Sequence, residues 1–590
     1  MTHHAGWPIT GTGGRLLVEQ MRASGVEYLF TNPGSAEVGL LDALHSAPEI
    51  TLILGLHEGL VVPMADAYAR VTGKPGCVNV HVIAGTAQMA GQLYNAFTDR
   101  SPVVVTAGLK DNEGFNDDAI LGPTSGFTQK EINRQFTKTS WEIRDPAVIP
   151  HAFRRAVKVA SAPPTGPTYV AFTDDVLEAT GITADIVPQA YFSIPGRTRP
   201  DENLIEQAAG MIVDAGRPVL MAGDGVWRDG AQAELLEFAE LFAIPVTTSF
   251  DAYQNFPTQH PLWCDRHGPP VYDGQHGDLL ISVGARTAGW KSLLAGVEYP
   301  AEPRTIVLHH NPDDMGRTYP MDLAILSDIR QALRALIEAV KDRLPPHRLA
   351  AVKEARLRTI TAYTDAIKRR RSEEIERHFT ETPIHPTRLG YELERTLDPD
   401  TIVVNECFSG EYDMMTFGFR PGEKLWIGTK GNSLGWGIGA AIGTQLGQPD
   451  RPVVCSIGDG AVMYSASGFW TMARYGVPVL TVVWNNYNYQ IVRAMIHGYG
   501  GESAAKEAYP GMFLGDPDID FVALARSQGV DGERVTEPDG IGPALRRGIA
   551  ATRAGSPYLI DVVVARLGGG AASTWHQPFN LASRRKSARC

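Results

Sequence analysis

Val453-Val454-Cys455-Ser456-Ile457-Gly458-Asp459-Gly460, followed further on by Val479-Leu480-Thr481-Val482-Val483-Trp484-Asn485-Asn486, decides the fold of this chain. Each run is apolar, rich in β-branched residues and stopped abruptly by small or polar ones, as expected of a strand buried on both faces. Between them, residues 465–475 read as a helix stopped by Gly476. Strand, helix and strand at this spacing form a βαβ unit. Its right-handed crossover lays the two strands parallel, so Asp459 and Asn486 emerge at the same carboxyl edge, where α/β proteins bind ligands. An Asp carboxylate, an Asn carbonyl and the main-chain carbonyl of Asn488 make an all-oxygen set suited to Mg²⁺, which takes its other ligands from water and phosphate. The implied ligand is a diphosphate. Gly458 and Gly460 would let the backbone approach its oxygens, and the following helix would offer unpaired N–H groups. Gly-Asp-Gly alone is a common turn and Asn-Asn alone an ordinary strand end; the pair, each closing a parallel strand, carries the reading.

The rest of the chain repeats the same alternation. At 590 residues it is too long for one core and suggests several domains. Strands are expected at 51–56, 77–81 and 102–106 in a first α/β domain (1–187). A Pro-rich junction separates it from a second (201–340), which opens with a helix over 203–216 and a strand over 218–222. Residues 341–380 form a charged, solvated helical linker, a third α/β domain follows (381–565), and 566–590 is a tail. Net charge is −12 with both signs mixed, which leaves no electrostatic footprint for nucleic acid or an anionic membrane. No apolar run approaches the ~20 residues of a membrane helix. Five scattered cysteines without a CxxC pair indicate neither a disulfide framework nor a zinc site, so a reducing cytoplasm is the expected location.

Asp459 and Asn486 at this separation resemble the thiamine-diphosphate signature. In that light Glu58 stands out, since the strand before it runs straight into His57-Glu58-Gly59 and an alanine-rich helix follows. Thiamine chemistry needs a carboxyl group against the aminopyrimidine ring, so that a ring nitrogen can be protonated and the exocyclic amine can deprotonate the thiazolium carbon. Glu58 is the candidate. A helix N-terminal Glu favoured by the dipole is the plainer account of the same residue.

From about residue 25 to 565 the chain resembles the thiamine-diphosphate enzymes that include pyruvate decarboxylase, acetolactate synthase and benzoylformate decarboxylase, most of all the last. The matching stretches are Asn32-Pro33-Gly34-Ser35, His57-Glu58, Asn79-Val80-His81 with Ala84-Gly85-Thr86, and Pro102 to Gly108. The resemblance implies three doubly wound parallel-sheet domains, pyrimidine-binding, middle and diphosphate-binding, with thiamine diphosphate and Mg²⁺ as cofactors. It implies catalytic roles for Glu58, Ser35 and His81: Ser35 on a substrate carboxylate or carbonyl, His81 as a proton relay. Glu58, Ser409, Leu434, Gly458, Asp459, Gly460 and Asn486 would hold the cofactor, Leu434 as the wedge that bends it and Ser409 on the diphosphate; Asp459, Asn486 and Asn488 would hold the metal. It further implies cleavage or formation of a carbon–carbon bond beside a carbonyl, in a homodimer or homotetramer that acts on a 2-oxo acid, aldehyde or acyl thioester.

Two departures narrow this reading. Residues 283–291 lack the second histidine of benzoylformate decarboxylases, which puts aryl substrates in doubt. Tyr489-Gln490-Ile491-Val492-Arg493 carries an arginine where pyruvate decarboxylases place a glutamate. The tail from Gly568 to Phe579 combines a glycine hinge with aromatic residues, as a lid over the site would. The glycines of 435–443 also suggest a dinucleotide fingerprint, but no strand precedes them tightly and no acidic partner follows at the required distance.

Overall fold

The structure is a computed structural model, and it describes residues 6–110, 120–194, 197–248, 251–266, 271–272, 274–286, 304–317, 320–410 and 414–574. The chain forms two compact units, one of Met1–Ile194, Val404–Ser409 and Thr429–Cys590, the other of Pro195–Val403 and Gly410–Gly428. Three six-stranded sheets run through them, giving the three α/β layers expected from the alternating pattern.

The first sheet has the order Thr51–Leu54, Tyr28–Asn32, Gly76–Val80, Val103–Leu109, Thr168–Thr173, Thr139–Ile143, with parallel pairing throughout. Successive strands first step one way from Tyr28–Asn32 and then the other, so the order reverses between Tyr28–Asn32 and Gly76–Val80. Loops leaving a sheet at such a reversal part from each other and open a crevice. A short antiparallel pair, Trp7–Gly11 with Ile182–Ile186, joins the start of this region to its end.

The third sheet runs Leu425–Ile427, Ile402–Glu406, Val453–Gly458, Val479–Asn485, Tyr558–Val563, Asp531–Val535. Val453–Gly458 and Val479–Asn485 pair parallel in register, with Gly458 opposite Trp484. Here the reversal lies between Ile402–Glu406 and Val453–Gly458. The helix between the paired strands differs from expectation. It starts at Asp459, ends at Ser465, and a second helix spans Gly468–Tyr475, capped by Gly476 at φ 60°. Gly468 marks the break because the chain passes too close to its neighbours for a side chain: a Cβ there would lie 2.3 Å from Ile438.

In the other unit the second sheet has the order Trp263–Arg266, Val246–Thr248, Pro218–Ala222, Leu279–Val283, Arg304–His309, Leu323–Leu326. The expected linker is a helix, Pro346–Arg377, and it is more than a solvated connection. Ile360, Thr364 and Ile367 form a narrow buried stripe, and Arg356 donates to the carbonyls of Phe242 and Ala215 at 3.0 and 2.9 Å. Those carbonyls close the helices Gln232–Phe242 and Glu202–Asp214, so one guanidinium satisfies two helix C-termini. Of the stretch expected to lack a histidine, 287–291 lies outside the described residues, as does 575–590 of the tail.

Candidate active site

At the reversal of the third sheet, Asp459 opens a helix directly from the end of its strand and is 5 % exposed. Its Oδ1 accepts from the N–H of Gly460 at 2.7 Å and its Oδ2 from the N–H of Asn488 at 3.3 Å. Asn486 Oδ1 accepts from the same Asn488 N–H at 2.9 Å, so the two predicted metal ligands converge on one point. The loop achieves this because Tyr487 adopts φ 52°, turning the chain back after Asn486. Burial pushes the Asp459 carboxyl up to about 7, with the backbone N–H groups of Gly460, Asn488, Tyr487 and Asn486 holding it from rising further. Asn486 Nδ2 donates to Gln490 Oε1 at 3.2 Å and reaches Ser409 Oγ at 3.5 Å, which fixes the amide so that its oxygen faces Asp459.

This set fits a divalent cation held with a diphosphate. The expected main-chain carbonyl of Asn488 accepts from the Gln490 N–H at 2.8 Å, while Asn488 Oδ1 is buried without a hydrogen-bond partner, so the loop holds an oxygen that the protein leaves unsatisfied. A Cβ at Gly458 would meet no protein atom within 4 Å, so open space fronts the strand end. At Gly460 a Cβ would lie 2.5 Å from the Tyr489 ring, so glycine is also what lets that ring pack over the turn. Among the described residues no three His, Cys, Asp or Glu side chains cluster as a metal site, so a cation here relies on the Asn and main-chain oxygens beside Asp459.

The second constellation sits at the reversal of the first sheet. Asn32 and Val80 end neighbouring strands, and beyond them come Ser35, exposed at the start of a short turn, and His81, which precedes a helix. Sequence reasoning missed the residue that joins them. Glu37 is fully buried, and its Oε2 accepts both from the Gly34 N–H at 2.7 Å and at His81 Nδ1, 2.8 Å away. Facing an ionised Glu37, Nδ1 is the donor in that contact, and Nε2 is the ring nitrogen that Glu37 does not engage. Gly34 is required by the same contact, since a Cβ would lie 2.3 Å from the imidazole. Val82 follows at φ 34°, a left-handed conformation that a buried β-branched residue adopts only under constraint, at a cost of about 1–3 kcal/mol. The available signal was position: Glu37 is the third residue after Gly34, where a carboxylate can return to the turn's free N–H.

Glu58 begins the Glu58–Thr72 helix, capped by His57, whose Nδ1 accepts from the Gly59 N–H at 2.9 Å. The residue is 7 % exposed, and its carboxyl lies beside Gly85, on the helix that His81 opens; a Cβ at Gly85 would be 3.1 Å from Glu58 Oε1. Glu58, His81 and Ser35 are therefore grouped on one side of the first sheet. Leu434 is half-buried on a loop pinned to the Ala90–Thr98 helix, where Gln92 donates to its carbonyl at 2.8 Å and Asn95 bonds Ser433 in both directions. Among the described residues no hydrogen bond or ion pair joins Glu58 to the Asp459 group.

Helix-to-helix packing nevertheless binds the two regions within the chain. The small-residue run at 435–443 is part of the Trp436–Gly447 helix, laid against the Glu58 helix. A Cβ on Gly439 would fall 2.6 Å from the Leu60 carbonyl oxygen, and one on Gly443 2.0 Å from that of Met64, so these glycines permit backbone contact. Trp436 Nε1 donates to Asp66 Oδ2 at 2.7 Å, and Arg70 lies between Asp66 and Asp99. Glu406, also unnoticed in the sequence, caps this helix internally by accepting from the N–H groups of Gly435, Trp436 and Gly437 at 2.7, 3.1 and 2.7 Å. Burial pushes it up to about 7 against those three bonds.

Family models match three parts of the chain. Residues 11–136 match the N-terminal binding domain of thiamine pyrophosphate enzymes, 205–336 their central domain and 409–562 their C-terminal binding domain. The chain belongs to this family. Thiamine diphosphate is thus its cofactor class, and chemistry on carbon–carbon bonds its activity class. It is 31 % identical to the benzoylformate decarboxylase of Pseudomonas aeruginosa over 92 % of this chain and 97 % of that one. It is 28 % identical to a probable acetolactate synthase large subunit of Methanocaldococcus jannaschii, over 94 % and 92 %. The 4-hydroxybenzoylformate decarboxylase of Rhodococcus jostii superposes with a TM-score of 0.77 at 26 % identity, covering 94 % of this chain and 99 % of that one. No described helix is long and apolar enough to cross a membrane.

Proposed function

We propose that this thiamine-diphosphate enzyme is a 2-oxo acid decarboxylase able to join the remaining fragment to an aldehyde. The observation that carries the reading is the Glu37-braced His81 beside Ser35, at the sheet reversal that also presents Glu58. Bound thiamine diphosphate supplies a carbon nucleophile and an electron sink. Asp459, Asn486 and Asn488 would hold Mg²⁺, with Ser409, Gly458 and Gly460 against the diphosphate and Leu434 against the cofactor. Glu58 shares a proton with the aminopyrimidine ring. Ser35 binds the substrate carboxylate or carbonyl, and His81 exchanges a proton through Nε2. The four described cysteines are free and buried, which suits a reducing cytoplasm. A panel of 2-oxo acids and hydroxyacyl thioesters, with CO₂ and aldehyde followed separately, tests the assignment. Turnover of thioesters alone, or condensation without aldehyde release, would replace it by an acyl-CoA lyase or an acetolactate-synthase-like reading.

Two expectations follow from this arrangement. Glu37→Gln keeps the shape but no longer fixes the imidazole proton, so kcat is expected to fall by up to the ~10²–10⁴-fold that a general acid–base group contributes. Cofactor affinity should stay near wild type, and histidine ¹⁵N shifts should show that His81 has lost its single tautomer. The proposed active unit is a homodimer in which Glu58 of one subunit serves the cofactor held by Asp459 of the other. Glu58→Ala and Asp459→Ala, each inactive alone, should regain about a quarter of wild-type activity when mixed at random, because half the dimers then carry one intact site of two. Absence of regained activity in proven mixed dimers would remove the shared site.

A further inference from the structure

Arg493 lies in the Gln490–Tyr499 helix with its side chain wholly out of solvent. Nη2 donates to the main-chain carbonyl of Leu567, while Nε and Nη1 are buried without a hydrogen-bond partner. The groups acting on it electrostatically are Arg566, of like charge, and the neutral Tyr509 hydroxyl. Arg566 in turn donates to the Ser573 carbonyl at 2.8 Å and lies over the Phe513 ring, and among the described residues it is desolvated with no carboxylate opposing it. A buried guanidinium lacking a counter-charge is costly, and its planar fork matches a carboxylate or phosphate.

The segment that follows Arg566 lies flat against the rings beneath it. Gly568 and Gly570 adopt φ 81° and 73°, and Cβ atoms on Gly569 and Gly570 would stand 2.1 Å from the His497 ring and 2.2 Å from the Tyr509 ring. His497 Nδ1 and Tyr509 OH are 2.7 Å apart beneath it. It is tied towards the metal loop by the Leu567 N–H, which donates at 3.2 Å to Gln490 Oε1, the oxygen that also receives Asn486 Nδ2.

We propose that Arg493 and Arg566 form a receptor for a small oxyanion, carboxylate or phosphate, and that residues 567–570 are its exchangeable cover, with the Leu567 carbonyl standing in for the anion. Shutting both free nitrogens from solvent means the anion enters only as the cover lifts. The oxyanion is either free in solution or the far carboxylate of a substrate.

The test uses the full-length, cofactor-loaded protein with inorganic phosphate in one arm and glutarate, an unreactive dicarboxylate, in the other, both at constant ionic strength. Expected results are a rise in Tm of roughly 1–3 °C at saturation and faster proteolytic cleavage near Gly568. A response to phosphate points to a free anion, and one to glutarate alone to a substrate's second carboxylate. Arg493→Met should be at least as stable as wild type without oxyanion and should lose the response; Arg566→Met, at a less buried position, should weaken it. Wild-type Tm and cleavage unmoved by either anion would overturn the proposal. So would an Arg493→Met protein that loses Tm yet keeps its response.

Discussion

Asp459→Ala is expected to abolish Mg²⁺-dependent binding of thiamine diphosphate. The alanine removes the carboxylate from this set, leaving Asn486 and Asn488 with neutral oxygens to face a diphosphate and a doubly charged ion. Calorimetry with and without Mg²⁺ reads the effect: wild type binds the cofactor only with the metal present, and the variant should show no measurable heat in either case. Equal affinity with and without metal in the wild type would sink the shared-ligand argument. The same residue sets a pH dependence. Its folded-state value of about 7 lies above the ordinary carboxylate range, so below pH 7 the metal must displace a proton. Affinity should then fall by about tenfold per pH unit, and level off above 7. The metal-free protein behaves in the opposite sense, because a carboxyl with a raised folded value contributes stability at low pH that is lost as pH climbs to about 7.

Glu58→Gln should separate cofactor binding from cofactor activation. Glutamine preserves the shape of a residue that is 7 % exposed beside Gly85, and it keeps most hydrogen bonding, but it cannot trade a proton with the aminopyrimidine. Affinity is expected to change modestly, while hydrogen–deuterium exchange at the thiazolium C2 of the bound cofactor slows by ~10²–10⁴-fold. NMR of the acid-quenched protein measures that rate directly. Exchange at the wild-type rate would return Glu58 to the status of a helix-opening residue, and the metal site would stand alone.

What could be read from sequence was what depends on local pattern. Val453–Gly458 and Val479–Asn485 announce themselves by β-branched runs cut off by glycine or asparagine, and parallel pairing then follows from handedness alone. What escaped depends on partners remote in the chain. Glu406 reads as the polar end of a strand, and only the fold brings it under the helix that starts at Trp436. Glu37 meets His81 because two strands separated by a whole crossover are neighbours. The single helix expected at 465–475 became two, since apolar composition does not reveal that the Ile438 side chain fills the place a Cβ would take at Gly468. The linker helix was underestimated for a similar reason: its stripe of Ile360, Thr364 and Ile367 is too narrow to stand out among charged residues.

The glycine-lined contact between the Glu58–Thr72 and Trp436–Gly447 helices has a consequence for how the molecule comes apart. At Gly439 and Gly443 backbone meets backbone with no intervening side chain to slide or repack, so these two helices open together or not at all. The end of the strand before Glu58 is tied into the same block, with the Leu54 N–H on the Tyr475 hydroxyl and its carbonyl on Thr471 Oγ1, at 2.9 and 3.0 Å. Amide protons of both helices should therefore share one hydrogen-exchange free energy, although hundreds of residues separate them in sequence. A lesion at Gly443 would lower the protection of Val61 and Val62 as much as that of its own helix.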